Sequence, residues 1–171
     1  MKIVVFTEGT IFTHTDWISL AREEIVRRVR EGERPDYAGT IPIGNAAEKL
    51  QSWNRAGAEI VYLTSRRAPG EIEQVMEVLR RYGFPIGQIF FRRKGEEYKD
   101  VAERALPDVI VEDDCESIGG EVEMTYPHIR PEIKARIVLV VVSEFGGIDH
   151  LPEILSDLIR HGLTTHTQME R

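Results

Sequence analysis

One cysteine, Cys115, stands among the 171 residues, so no internal disulfide can form and a four-cysteine zinc site is excluded. Long apolar runs are also missing. The longest spans residues 137–142, far short of the ~20 apolar residues a membrane helix needs. The opening MKIVVF turns polar too soon for a secretion signal, so a reducing cytoplasm is the expected setting and no membrane partner is expected. Basic charge is scarce as well: 22 Lys and Arg face 29 Asp and Glu, a formal charge of −7. A nucleic-acid surface needs a basic footprint to displace counterions, so nucleic acid is not an expected partner. Arg66 with Arg67, and Arg92 to Lys94, are local patches that suit a small phosphate ester, although a solvated loop or helix end is the better account of Arg92 and Arg93. Low-complexity segments and repeats are absent.

What is present alternates. Five apolar, β-branched runs occupy residues 3–6, 59–63, 88–91, 109–111 and 137–142. Their near-continuous apolar character predicts strands covered on both faces. Helical patterns fall between and after them, at residues 16–31, 45–56, 71–82, 96–106 and 152–161. Asn45 with Glu48 three residues on reads as a capping box, and Gly57, Gly83 and Gly162 read as helix stops. The alternation predicts an α/β fold with a doubly wound, five-stranded parallel sheet, in one domain over residues 1–171. Residues 13–42 read as a small cap or insert, residues 119–134 as a long loop beside the fourth strand, and residues 163–171 as a loose polar tail.

In such sheets sites form at the carboxyl ends of strands. Thr7-Glu8-Gly9-Thr10 follows the first strand, Thr64-Ser65-Arg66-Arg67 the second, and Glu112-Asp113-Asp114 the fourth, while Lys99 lies on the helix before the fourth. Carboxylates, hydroxyls and a lysine on one rim make a set suited to phosphate and a divalent metal. The order of these segments resembles the haloacid dehalogenase (HAD) superfamily. That family's first motif is an apolar strand followed by Asp-x-Asp-Gly-Thr; here it reads Phe6-Thr7-Glu8-Gly9-Thr10. Thr64 at a strand end, Lys99 (with Lys94 as its rival) and the acidic pair Asp113-Asp114 stand where the other three motifs fall. The resemblance covers roughly residues 2–158.

The resemblance implies a HAD-like fold with a minimal cap, a phosphorylated small molecule as ligand, and Mg²⁺ as cofactor. It implies Thr64, Ser65 and Lys99 as phosphate contacts, Asp113 and Asp114 as metal ligands, and Phe6, Thr7, Thr10 and Arg66 as pocket residues. Phe6 stands in place of the aspartate that attacks phosphorus and also binds the metal. The aspartyl-phosphate route is therefore closed and the metal site lacks one anionic ligand. Glu8 replaces the family's general acid/base and keeps a carboxyl, one methylene longer. Three readings stay open: a domain that binds phosphate and Mg²⁺ without hydrolysis, a metal-dependent phosphohydrolase in which Glu8 activates water, and a non-catalytic interaction module whose pocket Phe6 fills. Cys115, beside carboxylates, reads as structural. His14, Tyr126, His128 and Arg130 read as loop residues that can reach the pocket mouth.

Overall fold

Runs that are apolar at every position need cover on both faces, and the chain provides it. The computed structural model describes residues 1–169, with side chains described to residue 164. In chain order the elements are β1 (Lys2–Phe6), β2 (Phe12–His14), α1 (Arg22–Arg30), β3 (Thr40–Pro42), α2 (Ala46–Arg55), β4 (Glu59–Leu63), α3 (Pro69–Arg81), β5 (Ile89–Phe90), α4 (Tyr98–Ala105), β6 (Val109–Asp113), α5 (Pro131–Lys134), β7 (Val138–Val142) and α6 (Leu155–Met169). Five strands form one parallel sheet in the order β5-β4-β1-β6-β7. This is the doubly wound α/β sheet that the alternation predicts. Ile3 and Val5 of β1 pack with Leu50 and Trp53 of α2, Val75 and Val78 of α3, and Leu158 of α6. Val4, between them, packs with Val101, Ala102 and Ala105 of α4 and with Met124, Tyr126 and Ile129 of the following loop. Each such aliphatic side chain contributes about 1.5–3 kcal/mol on burial, and both layers draw on it. Among the described residues no helix is long and apolar enough to cross a membrane.

The chain runs outward from β1 to β4 and β5, then returns to lay β6 on the other flank of β1. Strand order reverses between β1 and β6, where the loops leaving the strands diverge and open a crevice. Glu8 and Asp113 sit on either side of that point.

Several local expectations are corrected. The helix expected over residues 16–31 is broken: Thr15–Trp17 is a 3-10 turn, Ala21 is extended, and α1 begins at Arg22. The buried anchor there is Trp17, whose ring meets Phe145 edge-on at 5.5 Å, while Ile18 is 76% exposed. Arg22 fixes the new start by donating to the Glu144 carbonyl and the Glu116 carboxylate. The Asn45 capping box does not form, because the backbone N–H of Asn45 donates to Asp149 instead. Gly162 is not a stop. A Cβ there would lie 2.5 Å from Val138 Cγ1 and 2.6 Å from the Leu139 oxygen, so this glycine lets α6 press against β7. The helix continues to Met169, through most of the stretch expected to be a loose tail; residues 170 and 171 lie outside the described residues. Finally, β3 forms inside a stretch that reads as loop, pairing antiparallel with β2. The hairpin carries residues 15–39 as an insert between its strands.

Candidate functional site

Leaving β1, the chain turns sharply at Gly9, held at φ +80°. A Cβ at this position would come within 3.2 Å of both Asp113 Oδ2 and Glu144 Cγ. Glycine therefore provides the turn and keeps a gap beside two carboxylates. The preceding residue, Glu8, reaches across to the end of β4. Its Oε1 accepts hydrogen bonds from Thr64 Oγ1 (2.8 Å) and Tyr37 OH (3.1 Å). Its Oε2 accepts from Thr7 Oγ1 (2.8 Å), Ser65 N–H (2.9 Å) and Ser65 Oγ (3.1 Å). Burial, with the Glu8 charge next in importance, pushes the Tyr37 phenol far above its ordinary pKa, so Tyr37 stays protonated and donates.

The other flank carries acids. Asp113 closes β6, and Glu144 follows β7; both are buried. Carboxylate oxygens of Asp113, Asp114 and Glu144 lie within 4.8 Å of one another. Thr10 Oγ1 donates to Asp113 Oδ2 at 2.7 Å, and the Cys115 N–H donates to Asp113 Oδ1 at 3.0 Å. Ser117 holds both Glu144 oxygens, through its N–H at 2.6 Å and its hydroxyl at 2.7 Å. Asp114 Oδ1 accepts from the Glu144 N–H at 3.1 Å. Phe145, in the left-handed region at φ +60°, donates its N–H to the Gly9 oxygen at 2.6 Å, tying this turn to the end of β1. Burial first pushes the Asp113 carboxyl up to about 6; the Glu144 charge adds to this and the Thr10 hydroxyl opposes it. Burial likewise raises Glu112 to about 7, against the N–H groups of Thr125 and Tyr126 that it accepts.

The Asp113 cluster fits a hard divalent cation. Its donors are carboxylate oxygens, the ligands Mg²⁺ favours. An ionised carboxylate has roughly four acceptor positions, and Asp113 uses two of them on protein donors. Gly9 leaves room beside the oxygens. When bound, such an ion would neutralise the cluster and polarise a phosphoryl oxygen.

A cavity of about 360 Å³ joins the two flanks. Phe6, Glu8, Ser65, Arg66, Asp113 and Glu144 line it from the strand ends, and Trp17, Val29, Arg34 and Tyr37 from the insert. Phe6 is part of the wall, 6.0 Å ring to ring from Tyr98, and does not fill the space. Arg66 lies over the Tyr37 ring at 4.8 Å. Three polar atoms of lining residues, Thr13 Oγ1, His14 Nε2 and Arg66 Nε, are buried without a hydrogen-bond partner. The Asp16 N–H donates to His14 Nδ1, which leaves the His14 proton on Nε2, aimed at the nearby Asp36.

Of the residues expected at the site, the structure brings together Phe6, Glu8, Ser65, Arg66 and Asp113 on the cavity. Thr7, Thr10 and Thr64 are buried behind it as donors to Glu8 and Asp113. Asp114 joins through the acidic cluster. Lys99 is not brought in: its Nζ pairs with Glu97 at 2.8 Å, and the cavity lining includes no lysine, so Lys94 does not take its place. The neighbouring Tyr98 lines the cavity instead, under the Arg92 guanidinium at 4.0 Å. His14 reaches the lining. His128 turns to the Val122 carbonyl, Arg130 to Glu103, and Tyr126 into the core. Burial, with the surrounding acids, raises the Cys115 thiol far above its ordinary value, which leaves it no nucleophile. Glu144, Ser117 and Tyr37 are site residues that the sequence pattern does not flag. The strand-end rule, applied to the fifth run, singles out Glu144 two residues past β7; Ser117 and Tyr37 carry no comparable signal.

No family model matches the sequence, and no curated protein matches it. Among solved structures the chain is similar to a class C acid phosphatase from Bacillus anthracis with tungstate bound, at 13% identity over 94% of this chain and 77% of that one, with a TM-score of 0.54. At that identity the likeness concerns architecture, and the architecture is the one the motif order implied: the chain has a HAD-like fold.

Proposed function

We propose that the protein binds a divalent cation, Mg²⁺ by its donor set, together with a phosphorylated small molecule in the strand-end cavity, and that it does not hydrolyse the ester through an aspartyl-phosphate. The observation that carries this reading is the cluster of Asp113, Asp114 and Glu144, whose oxygens converge within 4.8 Å. Arg34 and Arg66, both in the cavity lining, supply positive charge that favours an anionic ligand rich in acceptor oxygens. The similar acid phosphatase, solved with the oxyanion tungstate, supports the same ligand class. Phe6 stands where the attacking carboxylate would be, and Glu8, the remaining acid, has both oxygens engaged by donors, which weighs against its activating water. A cytoplasmic setting, without nucleic-acid or membrane partners, belongs to this reading and rests on the lone Cys115 and the net charge of −7.

Purified protein incubated with p-nitrophenyl phosphate and Mg²⁺ is expected to show no turnover above the uncatalysed rate. Titration of the same sample is expected to show saturable Mg²⁺ binding. Turnover at ordinary enzymatic rates, on the order of 1 s⁻¹ or more, would overturn the reading, and so would an absence of Mg²⁺ binding.

A further inference from the structure

Five donor contacts from four residues converge on one small volume: the hydroxyls of Thr7, Tyr37, Thr64 and Ser65, and the Ser65 N–H. Convergent hydroxyls and a backbone N–H are how proteins bind a free oxyanion. Here the oxyanion is part of the chain. We propose that Glu8 is the resident anion of this cradle and thereby sets what the cavity accepts: a phosphoryl group gains Thr64 and Ser65 only by displacing the Glu8 carboxylate. The proposal rests on the reading that the cavity takes a phosphorylated ligand, and adds what controls its entry.

Reach and tethering both support it. Glu8 leaves the end of β1, whereas Thr64 and Ser65 leave the end of β4. The extra methylene of glutamate over aspartate lets the carboxylate cross that gap and settle 2.8–3.1 Å from all five donors. A tethered group competes at the high effective concentration of an intramolecular ligand, so free phosphate meets an occupied cradle. The insert takes part, because Tyr37 belongs to it and lies under the Arg66 guanidinium. When Glu8 leaves, Tyr37 OH and Thr64 Oγ1 lose their acceptor, and an incoming phosphoryl oxygen can replace it. Thr7 keeps the Leu63 oxygen, 3.3 Å from its hydroxyl, as an alternative partner.

The test uses the full chain and inorganic phosphate, with and without Mg²⁺, followed by calorimetry and by the Ser65 amide resonance. Glu8→Ala is expected to bind phosphate about tenfold or more tightly than wild type, and phosphate should shift its Ser65 amide. Glu8→Gln keeps the side-chain volume and serves if the alanine variant does not fold; it is expected to gain affinity in the same direction. Glu123→Gln removes an exposed carboxylate from the cavity lining without touching the cradle. Through charge alone it is expected to change phosphate affinity by under about threefold. Equal affinity in wild type and a folded Glu8 variant overturns the proposal, as does an equal gain in Glu123→Gln. A wild-type Ser65 amide that titrates with phosphate at the same midpoint as in the folded Glu8 variant overturns it whatever calorimetry shows. A wild type that binds no Mg²⁺ defeats the reading of the previous subsection instead, and the metal-free phosphate comparison still decides this one.

Discussion

The two flanks of the strand-end rim manage negative charge in opposite ways. Beside β4, a single carboxylate, Glu8, accepts from five donor groups. Beside β7, three carboxylates crowd within 4.8 Å, and the buried Asp113 is pushed up to about 6. The first flank is electrostatically complete without any partner. The second is held in shape by Thr10 and Ser117 but keeps a repulsion that only a cation or a proton relieves. A scaffold that places both flanks at one sheet edge can therefore fill its own anion subsite and still hold an acidic cluster whose charge calls for a cation or a proton.

The largest effect expected from this contrast is on stability in divalent-free buffer. Asp113 has an ordinary value of 3.8 and rises to about 6, and Glu112 goes from 4.5 to about 7. Both hold their proton more tightly in the folded chain than in the unfolded one. Their contribution is therefore fully present below about pH 4 and is lost as the pH rises through 6 and 7, with each shift on the order of 3 kcal/mol. Urea melts across this range should show the decline, with a smaller one in Asp113→Asn, and Mg²⁺ at pH 7.5 should restore the Asp113 share. Next in size is Thr10→Val, which removes the hydroxyl that orients Asp113. Mg²⁺ affinity should fall about tenfold, as when other outer partners of metal ligands are lost, while phosphate binding by Glu8→Ala stays unaffected. Smallest is Tyr37→Phe on the saturated flank. It removes one of five donors, so the melting free energy should drop by only about 1 kcal/mol. A loss as large as that of a buried unpaired charge would show that Glu8 is less well satisfied than its contacts indicate.

The fold was legible because the sheet strands are apolar on both faces. Such strands must be covered on both sides, and a parallel sheet between two helical layers covers them. Thr64, Ser65, Asp113 and Asp114 were legible for a related reason: in a parallel sheet, position after a strand is nearly position in space. Side-chain direction was not. Lys99 lies one residue from Tyr98, and on a helix that single step turns one residue toward the cavity and the other toward Glu97. The link between Glu8 and the Thr64–Ser65 pair joins residues 56 and 57 positions apart; it needs both the strand order and the length of a glutamate. Gly162 misled because a packing glycine and a helix stop look alike in one sequence. Tyr37, Ser117 and the β2–β3 hairpin came from stretches whose local pattern shows only loop.

Calorimetric titration of Mg²⁺ into wild type and Asp113→Asn at pH 7.5 tests the central claim most directly. Wild type should bind one ion, and the variant, which keeps the side-chain shape but not the charge, should bind it about a hundredfold more weakly or not at all, beyond the loss from disturbing an outer partner. Equal binding in the two proteins, or none in wild type, would contradict the account.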